Sequence, residues 1–211
     1  MSVMDKLASA LNRMDEVPNQ ELARDIVREH NTAAVQELVE NLDHKNKAIQ
    51  SDCIKVLYEI GEANPSLIAK YYKEFGKLLE SKHNRLVWGA MIALDSIALK
   101  EPKGVYGMLP KILRVADTSG SVIARDHAVG ILVKLGTLKL YKQNCVALLL
   151  EQLTSCPNNQ FPMYVEMCVP VIDADNRKRF QQAIEKRASR LDKDSQQKRV
   201  AKVLKKLISS Y

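Results

Sequence analysis

The chain has 211 residues, 46% of them hydrophobic and 27% charged. That balance excludes a wholly disordered segment, and no apolar run approaches the ~18–20 residues that a helical membrane span needs. The net charge of +7 is lopsided: residues 1–173 carry 20 Lys and Arg against 21 Asp and Glu, whereas residues 174–211 carry 12 against 4.

The start, MSVMDKLASALNRMDE, reads as an amphipathic helix and not as a signal peptide, because an acid stands at position 5 and there is no apolar core segment. A second amphipathic segment follows around Leu22, Ile26 and Val27. Together residues 1–31 are expected to form an N-terminal helical cap. From Thr32 onward the apolar residues recur at helical spacing, and strand signals are nearly absent. The spacing predicts helices over 32–42, 47–62, 66–80, 84–99, 105–116, 121–136, 141–154, 160–172, 176–191 and 196–209. The intervening DHKN, ESKHN, DTSGS, SCPNN and DKDS are rich in residues that cap helices and make turns.

These helices fall into pairs with a fixed period. Leu42, Leu79, Ala116, Leu153 and Leu191 stand 37, 37, 37 and 38 residues apart. Ile60, Ile97, Leu135, Ile172 and Ile208 make a second ladder with steps of 37, 38, 37 and 36. Phe75, Ile112 and Leu149 form a third column. A helix pair hides only one face by itself, so repeated pairs imply stacked copies that cover one another. The small residues Gly61, Ala98 and Gly136 are expected to let the next helix come close, and Pro65 and Pro102 to start it. Pro162 and Pro170 are expected to start and then interrupt the second helix of the fourth pair.

The segments CIKVLYEIGEANP (53–65) and AMIALDSIALKEP (90–102) resemble the second helix of HEAT-like repeats, and Pro110 in VYGMLPKILRVA resembles the proline that bends their first helix. The resemblance covers residues 32–211. It implies an all-α, right-handed α-solenoid of about five HEAT-like (armadillo-type) helix pairs, with units near 32–64, 65–101, 102–139, 140–174 and 175–211 behind the cap.

No constellation for catalysis stands out: there is no G-x-S-x-G, no H-E-x-x-H and no phosphate-binding G-x-x-x-x-G-K-[ST]. His30, His44, His83 and His127 are scattered, and His44 and His83 fall in turns with no third ligand, so neither a metal nor a cofactor is expected. Cys53, Cys145, Cys156 and Cys168 show no paired spacing; reduced thiols and a cytoplasmic location are expected.

Two features bear on function. Trp88, Arg125 and Tyr164 recur at steps of 37 and 39 in successive second helices, which would put an aromatic, a cation and an aromatic in one concave row. Such a row resembles the groove of HEAT-like alkylpurine DNA glycosylases. The resemblance would put a catalytic aspartate about one turn after the first aromatic. Ile92 stands there, and Asp95 lies a turn further on, so no catalytic residue is assigned. The other feature is the basic C-terminal pair: Arg187, Arg190, Lys198, Arg199, Lys202, Lys205 and Lys206 flank an apolar stripe of Val200, Val203, Leu204, Leu207, Ile208 and Tyr211. The expected function is a non-catalytic scaffold that presents its concave face to a protein partner. The alternative is non-specific nucleic-acid contact through the basic C-terminal repeat.

Overall fold

A computed structural model describes residues 2–209 and contains no strand among them. After a short 3-10 turn at Val3–Lys6 come α1 (Val17–Glu29), α2 (Thr32–Glu40), α3 (Lys47–Ala63), α4 (Tyr72–Leu78), α5 (Asn84–Ile97), α6 (Pro102–Gly107), α7 (Leu109–Thr118), α8 (Val122–Gly136), α9 (Lys142–Ser155), α10 (Phe161–Cys168), α11 (Arg177–Ala188) and α12 (Asp194–Ser209). The chain divides into two compact units, Met1–Ala128 and Val129–Tyr211, with the division inside α8.

Helix ends follow local chemistry. Asn31 and Asn46 cap α2 and α3, their side-chain oxygens accepting from the amides of Ala34 at 3.0 Å and Ala48 at 2.9 Å. Pro102 opens α6, and the Glu101 side chain accepts from the Gly104 amide. Pro110 does more than bend its helix. The stretch is split into α6 and α7, with Met108 between them, because Pro110 is accommodated only in the first turn of a new helix. Pro162 likewise opens α10, and Pro170 lies in the 3-10 turn Val169–Val171 that ends it.

In the first unit α3 packs against α1, α2 and α5, and α5 against α4. Cys53, Ile54, Val56, Leu57 and Ile60 on α3 are all buried. Each large apolar side chain removed from water contributes about 1.5–3 kcal/mol, so this face outweighs any single hydrogen bond in holding the stack. In the second unit α9 packs on α10 and α11, and α12 on α10 and α11.

The first ladder is buried throughout: Leu42, Leu79, Ala116, Leu153 and Leu191 are each at most 5% exposed, near the end of the first helix of each pair. Phe75, Ile112 and Leu149 are fully buried too. The second ladder holds for Ile60, Ile97 and Leu135 and then fails. Ile172 follows the Pro170 turn in extended backbone, with Val171 buried instead, and Ile208 is 62% exposed. Of the expected N-terminal cap, α1 forms, but the helix expected at its start is corrected. Residues 7–14 contain no helix, and Leu11 and Met14 face water. This stretch buries only Leu7 and Ala8, too little apolar surface to order a separate helix. Tyr211 of the expected apolar stripe lies outside the described residues.

Candidate functional site

A hollow of about 720 Å³ opens in the first unit between the irregular segment 8–16, α3 and α5. Trp88 on α5 stands in it, half-buried, with Ile92 one turn further along the same helix and Ile123 of α8 beside them. Gly89 sets this geometry. A Cβ there would lie 2.3 Å from Cγ1 of Ile54, so only glycine lets α3 and α5 meet at this height. Trp88 also lines a smaller hollow of about 320 Å³ with Leu79, Val115 and Gly120.

The irregular segment is fastened by side chains. Asn19, 2% exposed, accepts from the Ala8 amide at 3.0 Å and donates to Asp52 at 2.7 Å; the other Asp52 oxygen accepts from the Ser9 amide at 2.8 Å. Glu37 of α2 holds the Ser2 hydroxyl and the Val3 amide. Lys55 of α3 bridges Glu16 and Glu59, both at 2.7 Å, and lies over the Tyr58 ring. Burial opposes the Lys55 charge, but the two carboxylates outweigh it and hold the ammonium pKa above the ordinary lysine value. Arg13 pairs with Asp15 and holds that carboxyl below its usual range. Arg85, exposed and one turn before Trp88, makes no ion pair or side-chain hydrogen bond among the described residues.

Of the three residues expected in a concave row, Trp88 is the one that lines this hollow. Arg125 is half-buried and donates from Nε toward the carbonyl of Ala116 at 3.4 Å, and Ile123 is the α8 residue that lines the hollow. Tyr164 is a core residue of the second unit, 0% exposed, its hydroxyl accepting from Gln160 at 2.9 Å. A step of 39 residues, two beyond the period, turns a side chain by about 200°, slightly more than half a helical turn, and accounts for the inward aim.

The basic helices are also re-sorted. Arg187 is buried and belongs to the framework. Its guanidinium donates to the carbonyls of Thr154 and Cys156 and to the Asn158 side chain, and lies over the Phe161 ring. Arg199 is held in a two-pronged pair with Glu166 of α10, which keeps that carboxyl below its usual range. Arg190, Lys198, Lys202, Lys205 and Lys206 are exposed.

Burial pushes the thiols of Cys53 and Cys168 up to about 12 and that of Cys145 to about 11, far from reactive thiolates. No group of three metal-ligating side chains occurs among the described residues. His44 and His83 serve their turns: His44 accepts from the Asn46 amide at 3.0 Å, and His83 meets Gln50 at 3.1 Å. No described helix is long and apolar enough to cross a membrane.

No protein-family model matches the chain, and no curated protein matches it. Solved structures do. An engineered protein is 19% identical over 99% of this chain and 98% of its own, with a TM-score of 0.65. A computationally designed armadillo repeat protein for modular peptide recognition is 15% identical over 96% and 97%, with a TM-score of 0.65. A designed armadillo repeat protein in complex with the peptide (KR)4 is 17% identical over 89% and 86%, again at 0.65. The chain has the fold of an all-α, armadillo-type helical repeat. At these identities the likeness is one of architecture, and the side chains of the hollow are this chain's own.

Proposed function

We propose that the chain is a non-catalytic protein-binding module and that the hollow beside Trp88 receives its partner. The observation that carries this reading is Trp88 itself, half-exposed among Ile92, Ile123 and the fully exposed Met14 and ringed by charged groups. Apolar surface left open inside a polar rim is the mark of an interaction site, and indole is the side chain most often found at the energetic centre of one. Two designed proteins of the same fold are described as peptide binders, which supports a peptide segment as the partner here. The apolar Ile92 stands where the glycosylase resemblance would need a carboxylate, which supports a binding role over a catalytic one. Four buried cysteines in no disulfide support a reducing compartment such as the cytoplasm.

Selection of random dodecapeptides on the wild-type protein tests the reading. Trp88 is the single tryptophan, so its emission reports directly. Selected peptides should shift that emission and should lose binding to a Trp88→Ala variant whose unfolding midpoint is unchanged. Peptides that bind Trp88→Ala as well as wild type would place the partner elsewhere.

A second reading rests on the C-terminal helices. Lys178, Arg179, Lys186, Arg190, Lys198 and Lys202 are exposed and make no ion pair among the described residues. Val200, Val203 and Leu207 of the α12 stripe are buried, and the exposed Ile208 alone is too little apolar surface to insert the helix into a bilayer. Such cations suit the phosphates of nucleic acid bound without sequence preference, with affinity falling steeply as salt rises. A gel-shift titration with duplex DNA at two salt concentrations decides it. A band that shifts at low salt and is lost at high salt supports this reading, and no shift at low salt removes it.

A further inference from the structure

We infer that the peptide this hollow takes carries an acidic residue beside a bulky apolar one, and that Arg85 is the specificity-determining cation. The inference rests on the hollow being a peptide site and adds the chemistry of its occupant. The chain's own segment 8–16 already lies against these helices, and it is held by two kinds of contact. Asn19 and Asp52 bind backbone amides of an irregular stretch, and Lys55 takes the carboxylate of Glu16. The face therefore holds irregular backbone by side-chain polar groups and reads an acid with a cation.

The charges lining the hollow are spent in pairs, with one exception. Asp15 pairs with Arg13, Glu16 with Lys55, and Asp52 accepts from Asn19 and from the Ser9 amide. Arg85 alone among these lining charges makes no ion pair or side-chain hydrogen bond among the described residues. It precedes Trp88 by three residues on α5 and so shares its face. A segment placed beside residues 8–16 meets Trp88, Ile92 and Ile123 with an apolar side chain and Arg85 with its neighbour. A planar guanidinium with five donors matches a carboxylate there, and a lysine in the same place meets like charge.

The test uses the full chain and three acetylated dodecapeptides of Gly and Ser. Each carries one Phe with Glu, Gln or Lys as its immediate neighbour, and each is titrated against Trp88 emission. The Glu peptide should bind about tenfold more tightly than the Lys peptide at low salt, with Gln between, and the gap should narrow as salt rises. Arg85→Glu, an exposed change, should reverse the order of Glu and Lys. Trp88-dependent binding with no charge preference, or an order that Arg85→Glu leaves intact, overturns the inference and leaves the peptide site standing. No Trp88-dependent binding by any of the three overturns the inference. The random-peptide selection then shows separately whether the site itself fails.

Discussion

Arg187 donates from its guanidinium to the backbone carbonyl of Cys156 at 2.9 Å, across 31 residues of chain. With its bonds to Thr154 and Asn158 it closes the C-terminal end of α9, where the last carbonyls have no partner within the helix. The charge also complements the negative end of the helix dipole. Arg187→Ala should therefore destabilise the protein by about 3 kcal/mol, because buried carbonyls are left unpaired and hydrogen bonds to charged groups contribute about 1.5–3 kcal/mol. Arg187→Lys should recover only part of this, since an ammonium cannot reach several acceptors in one plane. Urea unfolding of the three proteins measures it, and an unchanged midpoint for the alanine variant would remove the cap from the list of stabilising contacts.

The N-terminal segment depends on Asn19 in the same way. Both ends of its amide are used, one on the Ala8 amide and one on Asp52. Asn19→Leu is close in volume but leaves a buried amide and a carboxylate without their partner, at a cost of about 1–3 kcal/mol. The loss should be local. Hydrogen exchange at Ala8 and Ser9 should accelerate strongly while amides of α5 keep their protection. Equal acceleration in both places would show that the segment unfolds only with the unit.

The contrast between these two sites shows what the sequence could and could not carry. The burial of Leu42, Leu79, Ala116, Leu153 and Leu191 was legible because stacking repeats one apolar position at one period. The failure at Ile172 was half legible: Pro170 announced an interruption but not that Val171 would turn inward in its place. Of the candidate site, Trp88 was legible from its place in a second helix. The Asn19–Asp52 contact was not, because a polar pair 33 residues apart leaves no periodic trace. Arg187 was misplaced for a related reason. Composition marks it as one cation among many, and only the fold brings the end of α9 to it.

Three glycines should respond unequally to a single added methyl. At Gly89 the new Cβ would lie 2.3 Å from Cγ1 and 3.3 Å from Cβ of Ile54, the stem of a buried, branched side chain. At Gly61 it would meet the Ser96 hydroxyl at 2.4 Å and the tip of Ile68 at 2.6 Å. At Gly136 the nearest atom is Val171 Cγ1 at 3.0 Å. Alanine gains up to about 1 kcal/mol over glycine within a helix, whereas overpacking costs about 1–3 kcal/mol. Gly89→Ala should therefore destabilise most, Gly61→Ala less, and Gly136→Ala should be close to neutral. Thermal unfolding of the three variants checks the order, and a Gly89→Ala protein as stable as wild type would mean that α3 and α5 separate at little cost.

His83 gives the structure a pH dependence of defined sign. Burial, then the nearby charges of Lys47 and Arg85, lower its pKa below the ordinary 6.5, and its ring meets Gln50 Oε1 and the Ser51 hydroxyl with no carboxylate beside it. The unfolded chain takes up this proton more readily than the folded one, so stability rises with pH through the interval between the depressed value and 6.5. The contribution is complete above 6.5 and is lost as the pH falls through that interval. A proton NMR titration should place the His83 midpoint below 6.5, and Arg85→Gln should move it upward by removing one of the two cations. His83→Gln should flatten the fall in unfolding free energy over the same interval. A His83 midpoint at or above 6.5 would mean that neither burial nor the two cations disfavours the charged ring in the folded protein.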